Sequence, residues 1–594
     1  MERKNQSTFT PSLLGSCLGV IVSFALIALV IVLSVTFSST GKTSYYKKNS
    51  VLHLTLEGVV PEKTGNQTDD GFVFGAKEDA IGLQRIVELI RHAATDDKIK
   101  GIYLENNNIS MGQSSLYTII QELNEFKKSG KFIYSYANAH SQSSYFLCSV
   151  ADSMFLNPQG LVDLRGFGSM VPFFKGTMDK LGIKMEVFYA GDFKSASEPF
   201  RSEKMSDENR LQIKEFLYDM KALMAKTLEE NRKINAVELD SIMNQFAGRS
   251  AKSALSHKLV DVLMQKSDFE TFLKTKLGVE DKKELSLISL GKYRDVVEIE
   301  EKKGKEKIAI VYAEGEISFG DDAKGVITKN KYSKIFSKIL EDEKVKAVVL
   351  RVNSPGGDAF TSEVIWDYVQ KLKAKNIPVV ASFGDYAASG GYYIACGADY
   401  IVAQPNTLTG SIGVFTMFPN VKTLTQDKLG LRFDTVKTND LSIALSPFQE
   451  LSEKEKVLMQ ESVLDIYDLF LDRVSKGRNL SLDSTKMIAR GRVWTGKRAV
   501  DLGLVDELGN LDLAINKAKE MAKLDKYSVT EYPSVKIDFF SEIMREINNS
   551  QEEEVINMFV SEEEKAAFNF IRESRKILDT KRVQARLPFI PYFN

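Results

Sequence analysis

Lys346-Ala347-Val348-Val349-Leu350-Arg351-Val352-Asn353-Ser354-Pro355-Gly356-Gly357-Asp358 is an apolar run of strand length that ends in a glycine-bearing turn. A helix-patterned stretch follows it, the signature of a buried strand feeding a helix. The same order occurs about 247 residues earlier, where Lys100-Gly101-Ile102-Tyr103-Leu104 precedes the polar turn Glu105-Asn106-Asn107-Asn108. The correspondence continues along the chain. Phe132-Ile133-Tyr134-Ser135-Tyr136 matches Val379-Val380-Ala381-Ser382-Phe383, and Tyr145-Phe146-Leu147 matches Tyr392-Tyr393-Ile394. Asp192-Phe193-Lys194 matches Asp440-Leu441-Ser442, and Leu259-Val260-Asp261 matches Leu504-Val505-Asp506. A period this long is domain duplication rather than a solenoid. Strands alternating with helical stretches predict an α/β fold with largely parallel sheets in each copy.

The 594 residues exceed what one hydrophobic core holds, in keeping with two domains. With 79 basic and 80 acidic side chains, the chain offers no electrostatic case for nucleic-acid binding. Cys17, Cys148 and Cys396 lack metal-ligand spacing and form no disulfide framework; Cys148 and Cys396 read as buried small apolar residues. Residues 12–37 carry no charge and are rich in Leu, Ile and Val. At about 1.5 Å per helical residue they exceed the roughly 30 Å bilayer core, which predicts a single uncleaved anchor. Arg3 and Lys4 on one side and Lys42, Lys47 and Lys48 on the other leave its orientation open.

Two glycine-rich turns could carry chemistry. Ser389 stands in Gly384-Asp385-Tyr386-Ala387-Ala388-Ser389-Gly390-Gly391-Tyr392-Tyr393, directly after a strand. Acyl transfer needs a nucleophile and two donors aimed at the developing oxyanion, and Gly357 (or Gly356) with Gly390 could supply them. Taken singly, each is equally readable as an ordinary turn. The chain has four histidines, His53, His92, His140 and His257, all in the first copy. His140, at the position of Ala387, is the only one near a matching loop; its plainer reading is a loop histidine.

The duplication suggests another base. Lys194 is replaced in the second copy by Ser442, while Ser389 is replaced in the first copy by Gln142 and its glycines by Ser143 and Ser144. Each copy thus retains half of a site. A lysine acts as general base only if desolvation brings its ammonium to neutrality. Ser411, in Leu408-Thr409-Gly410-Ser411-Ile412-Gly413-Val414, offers a hydroxyl to orient such an amine, and the first copy has Leu164 in its place.

These segments, with Gly491-Arg492-Val493-Trp494-Thr495-Gly496 and Lys194-Ser195-Ala196-Ser197-Glu198-Pro199-Phe200, resemble the long-form bacterial signal peptide peptidases, the protease IV family. The resemblance runs from the anchor to about residue 530. It implies tandem Clp-protease/crotonase-like domains behind an N-terminal transmembrane helix, with no metal or cofactor. It implies Ser389 as nucleophile, Lys194 as base, Ser411 as the lysine's partner, and Gly357 and Gly390 in the oxyanion hole. It also implies a homotetramer in the bacterial cytoplasmic membrane, with its catalytic part on the periplasmic side, degrading signal peptides and other apolar peptides. The expected map is a cytoplasmic tail at 1–11, the anchor at 12–37, a lysine-bearing domain at 45–280 and a charged linker at 281–306. A serine-bearing domain at 307–530 and a helical extension at 531–594 complete it. Two other readings fit the same scaffold: an acyl-CoA hydratase or thioesterase, and a non-catalytic membrane scaffold.

Overall fold

The computed structural model describes residues 46–56, 58–64, 80–280, 282–299, 303–320, 325–534 and 584–586. The expected anchor at 12–37 and most of the stretch 531–594 lie outside them. Among the described residues no helix is long and apolar enough to cross a membrane.

The first copy is built on a wholly parallel sheet. Its strands are β1 (Ser50–Leu54), β2 (Ile99–Leu104), β3 (Phe132–Ala137), β4 (Ser153–Leu156), β6 (Val262–Leu263) and β7 (Leu287–Ser289), in the order β6-β4-β3-β2-β1-β7. The second copy repeats it with β8 (Glu306–Glu314), β11 (Val345–Ser354), β13 (Val379–Ala388), β14 (Tyr400–Ala403), β18 (Glu507–Leu508) and β19 (Tyr527–Tyr532). Here the parallel order is β18-β14-β13-β11-β8-β19, the same sequence of neighbours. Two short strands, β15 (Leu408–Gly410) and β17 (Val493–Thr495), extend the far end of β13. The long helices Asp207–Arg232 and Glu453–Arg478 occupy matching places and are both 26 residues long.

Apolar runs become central strands because helices cover both faces of a parallel sheet. In β11, Val345, Ala347, Val348, Val349, Leu350 and Val352 are all at most 2% exposed. Each such Val or Leu contributes about 1.5–3 kcal/mol by leaving water. Cys148 and Cys396 are buried free thiols, one in each core.

Residues expected as charged linker behave otherwise. Leu287–Ser289 is the edge strand β7, and Leu290–Val296 is a helix. Their charges face outward while Ile288, Leu290 and Tyr293 enter the first core. Charge density concealed that sparse apolar face. Gln584–Arg586, within the stretch expected to be helical, is instead strand β20.

The copies are joined by buried polar contacts. The Asp385 carboxylate accepts from the Ser114 and Ser115 backbone N–H groups at 2.8 and 3.0 Å, capping the helix Gln113–Lys127 of the other copy. The Arg351 guanidinium, on β11, holds Glu62 with Nε 2.9 Å from Oε2, and both side chains are buried.

Candidate active site

A third sheet links the two copies. It contains β5 (Lys184–Ala190), β9 (Glu316–Ser318), β10 (Val326–Thr328), β12 (Gly356–Asp358), β16 (Val414–Asn420) and β20, in the order β10-β9-β12-β20-β16-β5. β5 comes from the first copy and β16 from the second, and they pair antiparallel over their whole length, from Val414↔Ala190 to Asn420↔Lys184. Antiparallel pairing sets the end of one strand beside the start of the other. The chain leaving β5 therefore reaches Lys194 where the chain entering β16 carries Ser411.

The lysine segment is fastened to the second copy. Phe193 N–H donates to Arg490 O at 2.9 Å. Gln212, from the helix Asp207–Arg232, donates to Phe193 O at 3.1 Å and to Ser195 Oγ at 2.9 Å, and accepts from Val493 N–H at 3.1 Å. The Arg492 guanidinium lies over the rings of Phe193 and Trp494 at 4.8 and 4.1 Å and pairs with Glu215. Gly491, at φ +76°, lies against the lysine's own backbone: a Cβ there would sit 2.7 Å from Lys194 N and Cβ. Only glycine fits that conformation and that approach.

Ser389 ends β13 and begins the one-turn helix Gly390–Tyr393. Its φ of 57° and ψ of −118° are costly for a non-glycine residue, of the order of 1–3 kcal/mol. Hydrogen bonds on both sides hold it there, Ser389 N–H to Gly410 O and Tyr393 N–H to Ser389 O, each at 2.8 Å.

Lys194 Nζ lies 2.7 Å from Ser389 Oγ, 3.1 Å from Ser411 Oγ and 3.1 Å from Ser411 O. All three residues have no exposed surface. Burial pushes the Lys194 amine well below its ordinary value, and no carboxylate opposes the effect. A neutral amine has two protons and one lone pair. Ser411 O can only accept, so one N–H serves it and the second serves Ser411 Oγ. The lone pair is left for the Ser389 hydroxyl proton. That is the arrangement a hydroxyl needs to become a nucleophile.

The glycines border the same space. A Cβ on Gly390 would lie 3.2 Å from Gly357 N, and one on Gly356 would lie 2.8 Å from Gly390 N. Gly356 N–H donates to Ser354 Oγ at 3.2 Å, so of the two candidates Gly357 is the better-placed second donor. His140 sits apart. It is buried in its own copy with Nδ1 2.7 Å from Ser144 Oγ, and burial pushes it down to about 3. Ser144 O–H donates to Asn106 O, so that pair has no proton to move.

Lys194, Ser389, Ser411, Gly357 and Gly390 thus converge, as anticipated. Sequence reasoning missed Gln212, Arg492 and the contact role of Gly491. The last two stand in a quoted motif, but nothing in a polar helix marks Gln212 as buried.

Comparison with known proteins agrees with this geometry. The model of peptidase family S49 matches residues 125–280 and 371–525, once in each copy, and that of Clp protease matches 301–409. The chain is 33% identical over 557 residues to Protease 4 of Haemophilus influenzae, covering 90% of each chain. It is 36% identical over 507 residues to Protease 4 of Salmonella typhi, covering 83% of this chain and 81% of that one. A chloroplastic serine protease SPPA of Arabidopsis thaliana is 32% identical over 486 residues, covering 80% and 70% respectively.

Proposed function

Since the chain belongs to peptidase family S49, in its long signal-peptide-peptidase form with two Clp-protease-like domains, it is a serine-type peptidase, and we propose that Ser389 and Lys194 are its catalytic dyad. The observation carrying this reading is the 2.7 Å approach of a buried, carboxylate-free lysine amine to the Ser389 hydroxyl. Family membership sets aside the hydratase and scaffold readings.

Ser389 Oγ attacks the substrate carbonyl carbon while its proton passes to Lys194 Nζ. The oxyanion faces the N–H groups of Gly357 and Gly390, each such donor being worth about 10²–10³ in rate. The ammonium, steadied by Ser411, returns the proton to the leaving amine. Water then attacks the acyl-serine with the neutral amine again as base. The test is covalent labelling of Ser389 by a serine-directed phosphonate together with hydrolysis of a peptide ester. Ser389→Ala should lose both, and labelling retained in that variant would remove Ser389 as nucleophile.

The substrates we assign are signal peptides and similar apolar peptides, reached by a protein tethered through residues 12–37 to the bacterial cytoplasmic membrane, its peptidase on the periplasmic side. The uncharged length of that segment supports the tether. Protease shaving of spheroplasts should digest the peptidase domains; protection of both would reverse the orientation.

The duplication also supports assembly. Lys180-Leu181-Gly182-Ile183-Lys184-Met185, leading into β5, matches Lys428-Leu429-Gly430-Leu431-Arg432-Phe433 of the second copy. Met417-Phe418-Pro419, in β16, matches Met170-Val171-Pro172 of the first. β5 and β16 pair within the chain, but their counterparts, 432–438 and 168–173, form no strand. Val436 is 98% exposed and Met170 95%. In our reading these counterparts pair between neighbouring chains as β5 pairs with β16. The contact is head-to-tail, so it closes a ring, of which the homotetramer is the expected size.

A further inference from the structure

The cross-copy sheet contains one strand that belongs to neither copy. β20, Gln584–Arg586, runs antiparallel to β12 on one side, with Gly357 opposite Ala585 and Gly356 opposite Arg586. On its other side it is antiparallel to β16, with Gln584 opposite Phe415. All three residues of β20 are buried. An extended segment inserted between two strand edges, hydrogen-bonding through its backbone, is how peptides are held by strand addition.

Its register places one carbonyl at the catalytic centre. A Cβ on Gly356 would meet Ala585 O at 2.1 Å and Gly390 N at 2.8 Å. A Cβ on Gly390 would meet Ala585 O at 3.0 Å and Gly357 N at 3.2 Å. The Ala585 carbonyl oxygen therefore shares the small space bordered by the two amides assigned above to the oxyanion. The next residue is also bound: Arg586 Nη1 lies 3.0 Å from Glu316 Oε1, with the guanidinium buried. Glu316 begins β9, two strands away from β20, so the acidic side chain meets the residue on the leaving-group side of Ala585.

We propose that the chain is its own substrate, Gln584–Arg586 lying in the groove as a bound peptide whose Ala585–Arg586 bond Ser389 cleaves, with Glu316 selecting a basic residue after the cut. This rests on the dyad reading. Ser389 Oγ bonds to the Ala585 carbonyl carbon and its proton passes to Lys194. The Ala585–Arg586 C–N bond breaks, and the new Arg586 α-amine takes that proton. Water then splits the acyl-serine, leaving a chain that ends in the Ala585 carboxylate and a free peptide of residues 586–594. Until that cut, the strand occupies the place a peptide from outside must take. A small residue before the cut and a cation after it form the preference that the groove imposes on other substrates.

Intact-mass spectrometry of the purified full-length chain tests this, beside hydrolysis of an added peptide ester. The active protein should lose the mass of residues 586–594, and Ser389→Ala should keep it. Glu316→Gln should slow the loss about tenfold, as deletion of a partly buried charged hydrogen bond does. Arg586→Glu should slow it similarly, and Arg586→Glu combined with Glu316→Arg should restore it, which a merely structural pair would not do. An active protein that hydrolyses the ester yet keeps its full mass overturns self-cleavage and leaves the dyad standing. Full mass with neither ester hydrolysis nor phosphonate labelling overturns both.

Discussion

Ala190, the last residue of β5, pairs with Val414, the first residue of β16, and this antiparallel register is what brings a first-copy lysine to a second-copy serine. The two functional side chains are 195 residues apart in sequence and 2.7 Å apart in space. Neither copy contains both, so each half-site depends on a strand pair contributed jointly.

Replacing the base tests that dependence directly. Lys194→Arg keeps a cation that cannot deprotonate, and Lys194→Ala removes the amine. Both should lower kcat/KM by about 10²–10⁴, the usual contribution of a general base. Turnover retained in Lys194→Arg would end the assignment. In the unmodified protein, kcat/KM should rise with pH as Lys194 loses its proton, with a midpoint well below lysine's ordinary range because burial lowers it. A profile that rises only at strongly alkaline pH would mean the amine is hydrated.

The same burial has a cost in stability, with a definite sign. Unfolded, Lys194 binds its proton up to its ordinary range; folded, it releases the proton earlier. Between those two points the unfolded state holds more protons, so stability rises with pH. Lys194→Met removes the lowered amine and should be more stable than the parent at neutral pH. That advantage should shrink as pH approaches lysine's ordinary range. Chemical denaturation of both proteins across that window measures it, and a pH-independent difference would refute the linkage.

Gly491 should tolerate no side chain. Gly491→Ala forces a Cβ to 2.7 Å from the Lys194 backbone at a φ of +76°. It should cost about 1–3 kcal/mol in strain and displace the amine from Ser389. The kinetic signature is a fall in kcat larger than any change in KM, with phosphonate labelling slowed in parallel. Full activity in this variant would show that the lysine loop is set by Gln212 and Arg492 alone.

How much of this was legible beforehand follows from what each signal depends on. Repeated apolar runs disclosed the duplication because every central strand must bury both faces, and the two sheets do share one order of neighbours. Lys194 became visible through comparison of the copies, since nothing local distinguishes it from a surface lysine. Strand β7 was hidden because only Ile288, Leu290 and Tyr293 turn inward among charges. β20 was hidden more deeply. Its three residues, Gln584, Ala585 and Arg586, have no strand character of their own, and they are extended because β12 and β16 offer edges on both sides.

Assembly can be disrupted at the exposed counterpart of β5 without touching the dyad. Val436 occupies the place that Phe188 holds in β5, yet it is 98% exposed where Phe188 is 8% exposed. An apolar residue this open is explained if a neighbouring chain covers it. Val436→Lys puts a charge into that contact and should lower the molar mass in light scattering toward that of one chain. Met170→Lys, on the opposing segment, should do the same, because the two segments form the two sides of one head-to-tail contact. Monomers made either way retain Lys194 beside Ser389, since β5 and β16 belong to one chain, and they should still label with phosphonate. An undiminished mass in both variants would place the subunit contact elsewhere. Loss of labelling on dissociation would show that the paired half-sites need the ring to stay together.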